Sequence, residues 1–293
     1  MRAAARAQMT IEAFFDEATF TASYVVSDDR TKRCAIIDPV LDFDPHAGRV
    51  STHSVESIAR YVREHGYQVE FILETHAHAD HLSGAAELKA RLGGVIAIGA
   101  HITDVQQIFA RIFNFGAEFV ADGRQFDRLL REGDVLSCGD LEISVLHTPG
   151  HTPACLTYLI GDAAFIGDTL FMPDYGTARA DFPGGDARVL YRSIQRILSL
   201  PESTRLFLCH DYKAQGREHF VWESSVAAQK SGNVHIHDGV SEEDFVAMRT
   251  ARDKTLGMPR LILPSIQVNI RAGHLPLPDA NGISYLRLPI NVL

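Results

Sequence analysis

The chain has 293 residues, 46% of them apolar and 22% charged. These are the proportions of an ordinary globular protein, and they exclude a disordered chain, a collagen-like fibre and a coiled coil. Lysine and arginine number 28 against 37 acidic residues, giving a net charge of −9 and a pI ≈ 5.8. Such a chain has no general attraction for nucleic acid or an anionic membrane, so an anionic substrate needs a local basic cluster.

Taken in chain order, Ala22–Val26 and Arg33–Asp38 are short apolar runs around the turn-rich Ser27–Thr31, the pattern of a hairpin. Val40–His53 reads as a loop with Pro45 and Gly48. Ser54–His65 has helical periodicity and stops at Gly66. Val69–Leu73 is a buried strand that ends where a histidine cluster begins. Ala85–Leu92 reads as a helix, Val95–Ile98 as a strand and Asp104–Phe113 as a second helix. Strands are expected at Arg128–Leu130, Leu141–Leu146, Leu156–Ile160, Ala163–Asp168 and Arg205–Cys209, with a helix at Val189–Leu200. Helices over Glu218–Ser231 and Ser241–Thr255 follow, the second opened by the capping box Ser241-Glu-Glu-Asp244. Met258–Leu293, with five prolines and few charges, reads as an ordered wrap. Strands followed by strand–helix alternation, recurring in the second half, predict two sheets between helices: a four-layer αββα sandwich. Residues 1–293 are expected to form a single catalytic domain in which 232–293 supply a C-terminal helix and an ordered tail.

No apolar stretch of about 18 residues suggests a membrane span. Met1–Gln8 lacks the apolar core of a signal peptide, so a reducing, cytoplasmic setting is expected. The four cysteines, Cys34, Cys138, Cys155 and Cys209, lie far apart and do not read as a disulfide framework. Histidine is the unusual component, with 14 residues, several of them crowded together.

His76-Ala-His78-Ala-Asp80-His81 places four ligand-type side chains within six residues at a strand end. In extended chain, alternate residues share a face, so His76, His78 and Asp80 converge. Imidazole with carboxylate suits Zn, Fe or Mn, and the absence of thiolate argues against a structural zinc knot. His151, Asp168 and His210 each follow a further strand, where loops gather on one point.

This order of ligands resembles the metallo-β-lactamase superfamily. The resemblance implies the αββα fold with a metal at the sandwich edge. In binuclear hydrolases of that superfamily the first metal takes the positions matching His76, His78 and His151. The second takes those of Asp80, His81 and His210, and Asp168 bridges. The runs Thr148-Pro-Gly-His-Thr-Pro153, Gly167-Asp-Thr-Leu170, Ala178-Arg-Ala-Asp-Phe182, Cys209-His-Asp-Tyr212 and Leu263–Arg271 are similar to the persulfide dioxygenase (sulfur dioxygenase) branch, over roughly residues 10–273. The chain departs from that branch in a longer segment at 104–131 and about 20 extra C-terminal residues.

The branch implies one Fe(II) per chain, bound by His76, His151 and Asp168. Such a facial triad leaves positions open for substrate and O2. His78, Asp80, His81 and His210 then orient these ligands or bind a second metal. The implied activity is oxidation of glutathione persulfide by O2 to sulfite and glutathione. The alternative is a two-zinc hydroxyacylglutathione hydrolase resembling glyoxalase II, because zinc activates water but not O2.

Glutathione persulfide carries two carboxylates, and its expected holders are Arg179, Lys213, Arg217 and Arg271, with Tyr212 as a hydrogen-bond donor. Asp211 and Tyr212 are the catalytic candidates beside the metal. Arg179 has the alternative of an ion pair with Asp181. Cys155 and Cys209 lie in apolar strand contexts and read as inert. His147 reads as a strand-end residue, and His235 and His237 as surface loop. The apolar tail points to a homodimer. No nucleic acid or membrane partner is expected.

Overall fold

The computed structural model describes residues 8–292. The first half runs β1 (Met9–Asp16), β2 (Thr21–Asp28), β3 (Arg33–Ile37), β4 (Val40–Asp44), β5 (Arg49–Ser51), α1 (His53–Glu64), β6 (Gln68–Leu73), β7 (Leu82–Ser83), α2 (Ala85–Leu92), β8 (Val95–Gly99), α3 (Ile102–Ile112) and β9 (Arg128–Leu130). The second half runs β10 (Val135–Cys138), β11 (Leu141–His147), β12 (Leu156–Ile160), β13 (Ala163–Phe165), α4 (Ala187–Leu198), β14 (Arg205–Phe207), β15 (Glu223–Ser225), α5 (Val226–Gly232), α6 (Glu242–Asp253) and α7 (Ile262–Asn269).

Two six-stranded sheets result, in the orders β1-β2-β3-β6-β8-β9 and β10-β11-β12-β13-β14-β15, with a small three-stranded sheet β5-β4-β7 beside them. Side-chain alternation along each strand assigns the layers. Tyr24, Val26, Ala35 and Ile37 of the first sheet meet Ile143, Val145, Tyr158 and Phe165 of the second, and this is the central core. Val25, Cys34, Ile36 and Ile72 point the other way, onto α1, α2, α3 and α7. Ala164, Ile166, Leu206 and Leu208 cover the outer face of the second sheet with α4, α5 and α6. The expected αββα sandwich is therefore the observed one. Among the described residues, no helix is long and apolar enough to cross a membrane.

Three segments differ from expectation. Val40–His53 is a hairpin, β4 and β5, rather than a loop. Its strands are too short to show alternation, and its turn is closed by Asp44, whose Oδ1 accepts the His46 amide at 2.9 Å. The helix expected over Glu218–Ser231 begins only at Val226, where the Ser225 hydroxyl accepts the Ala228 amide. The preceding Glu223–Ser225 pairs with β14, fastened by the cross-strand ion pair Arg205–Glu223 at 2.7 Å. The tail holds a helix, α7, that packs into the core of the first layer. Arg271 stacks on Phe115 and Phe119, and Arg287 donates to the Phe113 carbonyl, so the tail and the 104–131 segment are clasped together.

Candidate metal centre and substrate cavity

Each histidine and aspartate of the cluster sits where a strand ends between the two sheets. β3 ends at Asp38, β6 leads to His76, β11 to His151, β13 to Asp168 and β14 to His210. Two glycines let these loops close. Gly167 has φ 52°, and a Cβ there would lie 2.6 Å from Thr75 Oγ1. Gly150 has φ 131°, and a Cβ would strike the Leu190 backbone at 2.3 Å. Ser193 of α4 donates to the Pro149 carbonyl at 2.6 Å and fixes the same loop.

His76, His151 and Asp168 bring ligand atoms within 4.8 Å of one another. Asp168 Oδ2 lies 3.8 Å from both His76 Nε2 and His151 Nε2. The hydrogen bonds behind them set the ring tautomers. His151 Nδ1–H donates to the Arg179 carbonyl at 2.8 Å, which leaves Nε2 as a lone pair. The Thr75 hydroxyl donates to Asp38 Oδ2 at 2.8 Å, so it accepts from His76 Nδ1–H at 3.0 Å, again leaving Nε2 bare. Burial and then the surrounding imidazoles push His76 well below its usual range, which keeps that lone pair unprotonated.

His76 Nε2, both ring nitrogens of His78, His81 Nε2, His210 Nε2 and Asp168 Oδ1 are buried without a hydrogen-bond partner among the described residues. Buried polar atoms normally have partners. A cation held by nitrogen and carboxylate would satisfy them, so the donor set fits a borderline metal such as Fe or Zn.

The other expected ligands lie beside carboxylates or one another. His78 Nε2 faces Asp38 Oδ1 at 3.0 Å and Glu74 Oε2 at 3.8 Å. Burial opposes a charge on His78, but Asp38 raises it to about 9. Burial and Asp38 together push Glu74 up to about 8, and Ser83 donates a hydroxyl to it. His210 Nε2 lies 2.7 Å from Asp80 Oδ2 and 3.4 Å from Asp168 Oδ1. Its burial is outweighed by those carboxylates, which raise it to about 10. Asp80, Asp168 and His210 form a second convergent group, whereas His81 groups instead with His78 and Asp80.

A cavity of ≈ 680 Å³ opens above Asp80, His151 and Asp168, and its wall includes Phe171, Tyr175, Arg179 and Tyr212. Of the substrate and catalytic candidates, only Arg179 and Tyr212 reach this wall. Arg179 is paired with Asp181 at 2.6 Å, as its alternative foresaw, and also donates to the Gly257 carbonyl. The remaining candidates do not line this cavity. Lys213 turns away, its Nζ 4.0 Å over the Phe220 ring. Arg217 is consumed by Asp174 and Asp211. Asp211 is a buried brace, accepting from Arg217 and from the Lys213 and Val221 amides, and does not line the cavity. Arg271 belongs to the tail clasp. Adjacency in sequence to a motif loop misled here, because these loops turn sharply; Lys213 itself has φ 60°.

His147 bonds the Pro153 carbonyl and Cys155 and Cys209 are buried, in line with expectation. His235 is not a surface residue: it is partly buried and accepts the Thr177 amide at 3.0 Å. Sequence reasoning missed Asp38, although it ends an apolar strand just as Asp168 does. It also missed Arg249, Arg252 and Arg260, which reach the cavity from α6 and the segment beyond it and belong to no local motif.

Residues 17–210 match the metallo-beta-lactamase superfamily. The chain belongs to that superfamily. Its relatives there include a "probable metallo-hydrolase" of Burkholderia pseudomallei, 56% identical over 97% of this chain and 100% of that protein. The "beta-lactamase hydrolase-like protein" of Agrobacterium fabrum is 54% identical, and the chain spans 65% of its length. "Glyoxylase B2" of Dictyostelium discoideum is 46% identical over 97% of each chain. The mitochondrial persulfide dioxygenase ETHE1 of Homo sapiens is 27% identical over 93% of this chain and 92% of that one. The crystal structure of ETHE1 from Myxococcus xanthus superposes with a TM-score of 0.72 at 29% identity, covering 91% of this chain and 100% of that one. These last two support the persulfide dioxygenase branch as the resemblance within the superfamily. The donor clusters and the fold together point to a metal cofactor, with iron and zinc both compatible.

Proposed function

We propose that the protein is a mononuclear iron dioxygenase for a glutathione-type persulfide. The observation that carries this reading is the convergence of His76, His151 and Asp168 on one point. His78 Nε2 lies 3.0 Å from Asp38 Oδ1, outside that group. A two-histidine, one-carboxylate set leaves half of an octahedral metal open. Bound Fe(II) would supply the redox chemistry that couples persulfide sulfur to O2. The balanced reaction is GSSH + O2 + H2O → GSH + H2SO3, with the terminal sulfur oxidised and O2 reduced.

The chain's own groups position the reactants. Arg179 and Thr75 fix the two ring tautomers through His151 and His76. The aromatic wall of Phe171, Tyr175 and Tyr212 keeps water from the sulfur, and the His210 ring stacks on Tyr212 at 5.5 Å. Holding both reactants over one centre provides the proximity that the step requires.

A second reading is a two-metal thioester hydrolase of the glyoxalase II type. Two observations favour it. The relatives at 46–56% identity carry metallo-hydrolase and glyoxylase names, whereas the persulfide dioxygenases are at 27–28%. The comparisons therefore back the hydrolase reading better than the dioxygenase one. In addition, Asp80, Asp168 and His210 form a group that suits a second cation.

The deciding experiment measures O2 uptake by anaerobically iron-loaded protein on addition of glutathione persulfide, with sulfite assayed alongside. In parallel, zinc-loaded protein is given S-D-lactoylglutathione. Stoichiometric O2 loss with sulfite supports the dioxygenase. Thioester cleavage without O2 uptake transfers the assignment to the hydrolase. Asp168→Ala is expected to lose both the metal and the activity.

A further inference from the structure

The cavity wall holds four arginines, Arg179, Arg249, Arg252 and Arg260. Two of them are neutralised locally: Arg179 by Asp181, and Arg249 by Asp253 at 2.6 Å. Arg252 and Arg260 are different. Neither has a carboxylate within salt-bridge distance among the described residues; Arg49, Arg60, Arg111, Arg128, Arg131 and Arg271 share that property but do not line this cavity. What sets Arg252 and Arg260 apart is their place: both line the cavity that also holds His151 and Asp168.

Their surroundings add cost. Arg249 is buried, and its guanidinium is held below its usual range by that burial, with Arg252 adding like-charge repulsion. The carboxylates that line the same cavity, Asp80 and Asp168, lie at its floor in the candidate metal centre. The cavity thus holds acidic ligand groups and unpaired guanidinium groups together, and Arg260 also lines a neighbouring cavity with Asp16, Asp42 and Asp44. Fixed like charges at a concave site repel one another until an anion arrives, and they raise its local concentration.

We propose that Arg252 and Arg260 form an anion clamp at the cavity mouth, which holds the carboxylate end of a peptide-like thiol derivative while its sulfur reaches the His76–His151–Asp168 floor. This rests on the reading of the site as one for glutathione derivatives and names the residues that would select them. Arginine suits the task because its planar fork grips a carboxylate through two hydrogen bonds. A volume of ≈ 680 Å³ falls among small-molecule pockets, typically about 300–1,000 Å³. The clamp also explains why candidates chosen by nearness to the ligand motifs failed: the rim is built by α6 and the segment after it.

The test is calorimetric binding of S-methylglutathione to the metal-loaded protein. This thioether is neither a persulfide nor a thioester, so binding is judged apart from turnover. Arg252→Ala and Arg260→Ala should each weaken binding about ten-fold, the scale of one charge-assisted contact at a partly screened site. Arg192→Ala, which removes the same charge away from the cavity, should leave it unchanged. Added salt should weaken wild-type binding more than binding by the double variant. The proposal is overturned if the wild type does not bind at millimolar ligand. It is also overturned if the rim variants bind as the wild type does, or if Arg192→Ala weakens binding equally. If the clamp behaves as expected but neither O2 uptake nor thioester cleavage is found, the catalytic reading fails and the clamp stands.

Discussion

Asn269, at the end of α7, is where the C-terminal segment holds the metal loop. Its Oδ1 accepts the Ser83 amide at 2.7 Å, and its Nδ2 donates to the His78 and His81 carbonyls, each at 2.8 Å. The side chain is buried, so none of the three partners has water as a substitute. Asn269→Asp keeps the acceptor and turns both donor contacts into oxygen facing oxygen. Each hydrogen bond contributes about 1 kcal/mol net, and each buried group left unpaired costs about 1–3 kcal/mol. Two lost donor bonds therefore predict a loss of about 2–6 kcal/mol in urea unfolding. Because the released carbonyls belong to the His76–His81 loop, metal affinity should also fall about 10- to 100-fold, the usual result of removing a group that orients ligands. Equilibrium unfolding and competitive metal titration read the two effects separately. A variant that loses stability while binding metal as tightly as the wild type refutes the argument that α7 positions the loop.

Other predictions follow from the same contacts. Gly167→Ala forces a Cβ against Thr75 at a positive φ and should cost about 1–3 kcal/mol in thermal or urea unfolding, with weaker metal binding. Burial pushes the Cys34 and Cys155 thiols up to about 12, so native protein should react with a thiol reagent only on the timescale of unfolding; rapid labelling contradicts this. Burial tends to raise Asp28, but hydrogen bonds from Thr31 and the Asp140 and Arg30 amides hold it below the usual carboxylate range. Its folded pKa is thus depressed, so its contribution is present above the unfolded carboxylate value and is lost as pH falls through the folded one. Asp28→Asn should flatten the acid side of the stability–pH curve; an unchanged slope removes Asp28 from the account.

Much of the molecule is legible in the sequence because strand ends announce themselves. Apolar runs that stop at Asp38, His76, Asp168 and His210 mark the edge where the two sheets meet, and the ligand residues are there. Expectation failed where the local pattern was short or the contact was remote. The β4–β5 hairpin has strands of only five and three residues, too few for alternation to register. The helix expected from Glu218 lost its first residues to pairing with β14, a tertiary contact that outweighs local propensity. Arg252 and Arg260 come from α6 and the segment after it, more than forty residues beyond His210, and nothing in their neighbourhood marks them. Nearness in sequence to a motif is a weak guide to facing the same cavity: Arg217 is seven residues from His210 and is spent on Asp174 and Asp211.

Residue type cannot separate a one-metal from a two-metal centre here, because every position either reading requires is present. What bears on the choice is where the His78 ring lies relative to Asp38. A binuclear centre needs His78 to turn a nitrogen toward His76 and His151, yet Asp38 holds its Nε2 at 3.0 Å. The same Asp38 accepts from Thr75, which orients His76. One carboxylate thus braces one ligand and sits beside another, an arrangement that the proposed mononuclear site uses. Protein reconstituted in excess zinc and then desalted should retain one equivalent per chain, and Asp38→Asn should weaken that equivalent by loosening His76. Two tightly held equivalents in the wild type would overturn this logic, because His78 would then have left Asp38 on metal binding, as the hydrolase reading requires.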